Sequence, residues 1–223
     1  MRNSPGVYRR RRAGLALLLT GLVAGGALIL DSTQETGHSA PKPSPADALT
    51  PADTATEQAP KTSQPPPWSP TRITIPAIAV NTPLIALNAD KNHTLQPPPP
   101  QQKNLAGWYQ GGTVPGHKGT AVIAAHLDTP TGPAAFYRLS ELHKTNTINV
   151  QRQDGSTAIF TVYGVEQYEK TSFPSDKVYA QATRPELRLI TCAGTYSKKN
   201  SYSANTVVYA HLTSVLPPTT HQT

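Results

Sequence analysis

The chain has 223 residues, of which 37% are hydrophobic, 15% charged and 23 residues proline; proline is about twice its usual share of roughly 5%. Long helical bundles and coiled coils are excluded, because they draw about half of their residues from Ala, Glu, Lys, Leu and Arg. The net charge of +7 is local: Arg2 and Arg9 to Arg12 fall in the first twelve residues, which hold no acid, while the remainder carries 15 basic and 13 acidic side chains, so no nucleic-acid-binding face is expected.

Residues 1–12 read as a basic cytoplasmic tail. Ala13 to Leu30 follows, eighteen residues without a charge, ended by Asp31. As a helix it covers about 27 Å, enough for the hydrocarbon core of a bilayer, and the preceding arginines orient the N-terminus toward the cytoplasm. The rival reading is a cleaved signal peptide. Its apolar part usually spans about 7–15 residues and ends near a small-x-small site, and neither feature fits here. Both readings place the rest of the chain outside the cytoplasm; the first makes it a single-pass membrane protein.

Residues 31–67 are expected to be a disordered tether. They hold eight prolines and one large aliphatic residue, Leu49, too little apolar surface to offset the entropy of ordering. Residues 68–216 form the predicted folded domain, and 217–223 a disordered tail. Within the domain, Arg72 to Ile75, Ile78 to Val80, Thr120 to Ala125, Thr147 to Arg152, Ala158 to Val165, Glu186 to Thr191 and Thr206 to Leu212 read as short strands. Asp154-Gly155 between two of them is a hairpin signal. Ala134 to Leu142 reads as one helical turn, with Phe136, Leu139 and Leu142 at three-residue spacing. Six to eight strands in one domain predict a mostly β fold, a closed barrel or a sandwich.

Cys192 is the only cysteine, which excludes an internal disulfide framework and a Cys-rich zinc site. A buried thiol, a nucleophile and an intermolecular bridge remain open. Cys192 ends one predicted strand and His126 ends another. A free thiol, with a pKa of about 8.5, needs a basic or cationic neighbour to ionise near neutral pH. An imidazole at an adjoining strand end suits that need and can also protonate a leaving amine. No His-x-His or His-Glu-x-x-His spacing occurs, so neither metal nor other cofactor is expected.

The run Leu187-Arg188-Leu189-Ile190-Thr191-Cys192 resembles the cysteine strand of the sortase family, and Ala125-His126-Leu127-Asp128 resembles its histidine segment. Gly107-Trp108-Tyr109, Gly111-Gly112, Pro115-Gly116 and Gly132 to Leu139 are similar to actinobacterial class F sortases. The resemblance spans Arg72 to His211. It implies an eight-stranded β-barrel and a membrane-anchored transpeptidase with Cys192 as nucleophile and His126 as general acid. The implied partners are secreted proteins with C-terminal sorting signals of the Leu-Pro-x-Thr-Gly kind and an amine of the peptidoglycan precursor.

One departure stands out. The family's third residue is an Arg on the strand after the cysteine loop, and in the matching run Tyr202-Ser203-Ala204-Asn205 that position is Ser203. Arg188, Lys198 and Lys199 are the candidate replacements for its charge. Two further readings follow: a barrel that binds sorting signals with little or no turnover, and a secreted cysteine peptidase.

Overall fold

The computed structural model describes residues 42–54, 68–91, 94–197 and 201–218. The basic tail, the apolar run 13–30, most of 31–67, Lys198, Lys199 and the end of the C-terminal tail lie outside the described residues. Among the described residues no helix is long and apolar enough to cross a membrane.

The described strands are β1 (Pro70–Ile75), β2 (Val80–Leu87), β3 (Ala106–Tyr109), β4 (Gly119–Ala125), β5 (Asp128–Thr129), β6 (Gly132–Pro133), β7 (Thr147–Arg152), β8 (Thr157–Glu169), β9 (Pro185–Ser197) and β10 (Ser201–Leu216). Eight close into a barrel in the order β1-β2-β3-β4-β9-β10-β8-β7, while β5 and β6 form a separate two-stranded ribbon. The closed barrel, and not a sandwich, is therefore the fold. Closure removes the unpaired edges that an open sheet would expose. The pairs β2/β3 and β4/β9 are parallel; the β7–β8 hairpin turns at Asp154-Gly155, where Gly155 has φ +80°.

Side-chain alternation sorts the barrel into two faces. Leu187 and Leu189 of β9 point into the main core with Ile73, Phe160 and Val208. Ile190 lies on the outer face, in a second cluster with Val122, Val207, Tyr209 and Val178, the last from the short helix α1 (Ser175–Tyr179) between β8 and β9. Both faces of β9 are buried, and the charged residues on its outer face, Glu186 and Arg188, are paired with each other.

Several elements differ from the sequence reading. Ile78 closes a 3-10 turn, Pro76–Ile78, and the strand runs from Val80 to Leu87. Pro83 hides it in the sequence, yet it faces Arg72 in the β1–β2 register. The expected helical turn is a 3-10 turn, Leu139–Glu141, although Phe136, Leu139 and Leu142 are all fully buried.

Residues 42–54 fall in the stretch expected to be a disordered tether, and they lie against the barrel instead. Ser44 caps a 3-10 turn that starts at Pro45. Asp47, 5% exposed, accepts from Lys144 N at 2.7 Å and bonds His143 Nδ1 at 2.6 Å. Leu49 N donates to Glu166 Oε1 at 2.8 Å. The Leu49 side chain sits where a Cβ on residue 164 would be, a place that Gly164 leaves open. Composition misjudged this stretch because a few specific partners, not average hydrophobicity, hold it.

Candidate active site

His126 and Cys192 are set level with one another by the parallel pairing of β4 with β9. The register runs from Gly119 opposite Pro185 to Ala124 opposite Ile190, a constant offset of 66 residues. Carried two residues further, that offset sets His126 level with Cys192. The strands are still side by side there, because Thr191 Oγ1 donates to Ala125 O at 2.9 Å. His126 follows the last residue of β4, as expected. Cys192 does not end its strand: β9 continues to Ser197 and pairs with β10, where Asn205 is the partner of Cys192. Cys192 marks the point where β9 outruns β4. Gly194, at φ +82°, lies two residues beyond it.

The surroundings of the thiol oppose one another. Burial pushes the Cys192 thiol above its ordinary value; the Lys170 ammonium pulls it down, and the Asp128 carboxylate adds to the rise. Lys170 Nζ lies 3.9 Å from Sγ, the outer limit of a hydrogen bond to sulfur. Asp128 accepts a hydrogen bond from Tyr202 OH. Burial, with Asp128 second, pushes the Tyr202 phenol above its usual range, so it stays a donor.

His126 is oriented by a loop. Its Nε2 lies 2.7 Å from the carbonyl oxygen of Pro98. A carbonyl only accepts, so Nε2 carries a proton and Nδ1 is the position that exchanges one. The Pro97 to Pro100 cluster is punctuation when read as sequence; in the fold it supplies the imidazole's anchor.

Of the expected replacements for the third residue, Lys198 and Lys199 lie outside the described residues, and Arg188 is not at the thiol. Arg188 shares the outer face with Cys192, four residues away along the strand, about 13 Å. It is buried there, with Nη2 at 2.6 Å from Glu186 Oε2 and its guanidinium 4.5 Å above the Tyr209 ring. Ser203 Oγ accepts from Thr195 N at 3.2 Å and so serves the β9–β10 connection. Lys170 was not among the expected cations. It follows the last residue of β8, whose contact with β10 is visible only once the register is known.

Two cavities lie elsewhere. One of 220 Å³ is lined by Leu49, Tyr163, Arg184 and Arg188 among others, and one of 370 Å³ by Ile78, Lys103, Tyr137 and Arg138 among others; neither includes Cys192 or His126. Among the described residues no group of His, Cys, Asp and Glu is placed to hold a metal ion.

A family model for the sortase domain matches residues 73–213. The fold is similar to that of sortase A from Listeria monocytogenes, at 17% identity over 67% of this chain and 90% of that chain, with a TM-score of 0.50. It is also similar to a sortase from Actinomyces oris, at 17% identity over 74% and 89% with a TM-score of 0.50. Sortase C from Streptococcus pneumoniae matches at 20% identity over 67% and 70%, again with a TM-score of 0.50. At these identities the likeness speaks to the fold. No curated protein matches the chain in sequence.

Proposed function

The chain belongs to the sortase family, and on that premise we propose that it is a membrane-anchored cysteine transpeptidase of the class F type. It cleaves a Leu-Pro-x-Thr-Gly-like sorting signal after Thr and joins the freed carbonyl to an amine of a peptidoglycan precursor. The observation that carries this reading is the level placement of His126 and Cys192 at the end of one parallel strand pair. The class assignment rests on the Gly107 to Tyr109, Gly132 to Leu139 and Pro185 to Cys192 runs. The anchor, with the domain outside the cell, rests on the arginines before Ala13.

The Cys192 thiol gives its proton to Nδ1 of His126, since the Pro98 carbonyl holds the Nε2 proton. The thiolate adds to the Thr carbonyl carbon and the carbonyl electron pair moves to oxygen. On collapse the C–N bond breaks, and the Nδ1 proton goes to the departing Gly amine. The thioester left on Cys192 is attacked by the acceptor amine, which gives its proton to Nδ1. The second tetrahedral intermediate expels the thiolate, which takes that proton back. The thiol is neutral before substrate arrives, because burial raises it, so proton transfer to His126 is a required early step.

Incubation of the protein with a labelled sorting peptide, with and without an amine acceptor, tests the reading. A transfer product with acceptor and a thioester adduct on Cys192 are the expected results. Release of free acid alone identifies a peptidase; bound but intact peptide identifies a binding barrel. Either result rejects the transpeptidase.

A further inference from the structure

We infer that Lys170 is the cation that serves Cys192, holding the thiolate and the oxyanion that forms beside it; this rests on the transpeptidase reading above. The contact is made across a strand. Ala204 of β10 has Ala193 of β9 on one side and Glu169 of β8 on the other. Lys170, the next residue after Glu169, therefore starts two strand spacings from β9, about 10 Å away. An extended lysine stem covers most of that distance, and its Nζ ends 3.9 Å from Sγ.

The path crosses the outer face of β10, where Asn205 is the register partner of Cys192. Ala204 is fully buried, and Ser203 turns its hydroxyl toward Thr195 N. The cation is thus delivered by the connection between β8 and α1, not by β10.

Among the described residues, Lys170 from the turn after β8, Asp128 from β5 and Tyr202 from β10 act on the thiol, and His126 stands level with it at the end of β4. Of these Asp128 opposes ionisation, while the ammonium favours it. When the thiol ionises its proton goes to His126, and Lys170 keeps all of its own. Attack on the carbonyl then moves the negative charge from Sγ to an oxygen two bonds away, still within reach of a flexible ammonium. Lys170 is exposed, so the interaction is screened by salt.

Iodoacetamide alkylation of the full-length protein reads the thiolate directly, without any peptide, because Cys192 is the only cysteine. Lys170→Ala and Lys170→Met should slow alkylation at neutral pH about fivefold, the factor that one unit charge at this distance is worth in a water-like medium. They should also shift the alkylation profile to higher pH and remove the slowing of alkylation by salt. Lys170→Arg should restore both, and Ser203→Arg should do so in the Lys170→Ala background. Peptide transfer should fall about 10²-fold with Lys170→Ala and recover with the same two changes.

An alkylation profile for Lys170→Ala that superposes on the wild type would overturn the proposal. Slower alkylation with unchanged transfer would overturn its catalytic part. Wild-type protein that forms no peptide adduct, yet alkylates in a Lys170-dependent way, would reject the transpeptidase reading and leave the thiol–ammonium pair standing.

Discussion

Thr191 Oγ1 and the Ala125 carbonyl meet at 2.9 Å where two parallel strands part, one residue before Cys192 and one residue before His126. The hydroxyl is buried, at 4% exposure for the residue, and the bond closes the β4–β9 pair beyond its last register position. It fixes the separation of the two strands from which the candidate nucleophile and acid emerge.

Thr191→Val keeps the shape and removes this tie. The Ala125 carbonyl then loses a buried partner, which costs about 1–3 kcal/mol. Thermal unfolding should show that loss. Peptide transfer should fall by more than the change in folded fraction explains, because the strand ends drift apart. Transfer that merely follows the folded fraction would reduce Thr191 to a stability role.

Replacement of Cys192 by Ala should abolish the thioester adduct seen by mass spectrometry of peptide-treated protein. His126→Ala should reduce it to a trace, since neither thiol deprotonation nor protonation of the departing amine then has a carrier. Normal turnover by Cys192→Ala would refute the mechanism as a whole.

The barrel was legible in the sequence where one rule sufficed. Asp154-Gly155 marked the β7–β8 hairpin, and Leu187, Leu189 and Ile190 marked the buried part of β9. The offset of 66 residues between His126 and Cys192 is present in the sequence, but its meaning depends on the parallel register of β4 and β9. Strand β2 was hidden by Pro83, and β3 by being only four residues long, Ala106–Tyr109. Lys170 and Pro98 were invisible as site residues, because each reaches its partner through a tertiary contact with no sequence signature.

Leu49 against Gly164 is the apolar half of the docked N-terminal segment. Gly164→Val should expel Leu49, because even a Cβ at that position collides with it. Leu49→Ala should loosen the segment without strain, by about 1 kcal/mol for a half-buried leucine. Faster proteolytic cleavage within residues 42–54 in both variants, with the barrel intact, is the expected result. An unchanged cleavage rate in Gly164→Val would show that this contact does not hold the segment.

Docking of the same segment should weaken in acid. Hydrogen bonds from Lys144 and Thr50 hold the Asp53 carboxyl down at about 2. Burial pushes Asp47 up, but its bonds to His143 and Lys144 outweigh that and leave it lowered. A carboxyl lowered by docking stabilises the docked form above its free value near 3.8, and the contribution disappears as pH falls through the docked value. Protection of the Leu49 and Lys144 amides, corrected for intrinsic exchange, should therefore be constant above about pH 5 and fall below pH 4. Protection that persists unchanged to pH 2 would contradict the assignment.

Asp128 should act on the thiol with the opposite sign to Lys170. Its carboxylate raises the Cys192 thiol, in addition to the larger effect of burial, so Asp128→Asn removes a charge that disfavours the thiolate. Iodoacetamide alkylation at neutral pH should speed up, and its profile should move to lower pH. Tyr202→Phe should do the reverse, because the phenol donates to Asp128 and its loss leaves that carboxylate's charge less satisfied beside the sulfur. The two effects share one pathway and should not add: Tyr202→Phe in the Asp128→Asn background should change the profile little. If Asp128→Asn slows alkylation, the carboxylate acts through His126, two residues earlier in the chain, and not through its field at the thiol.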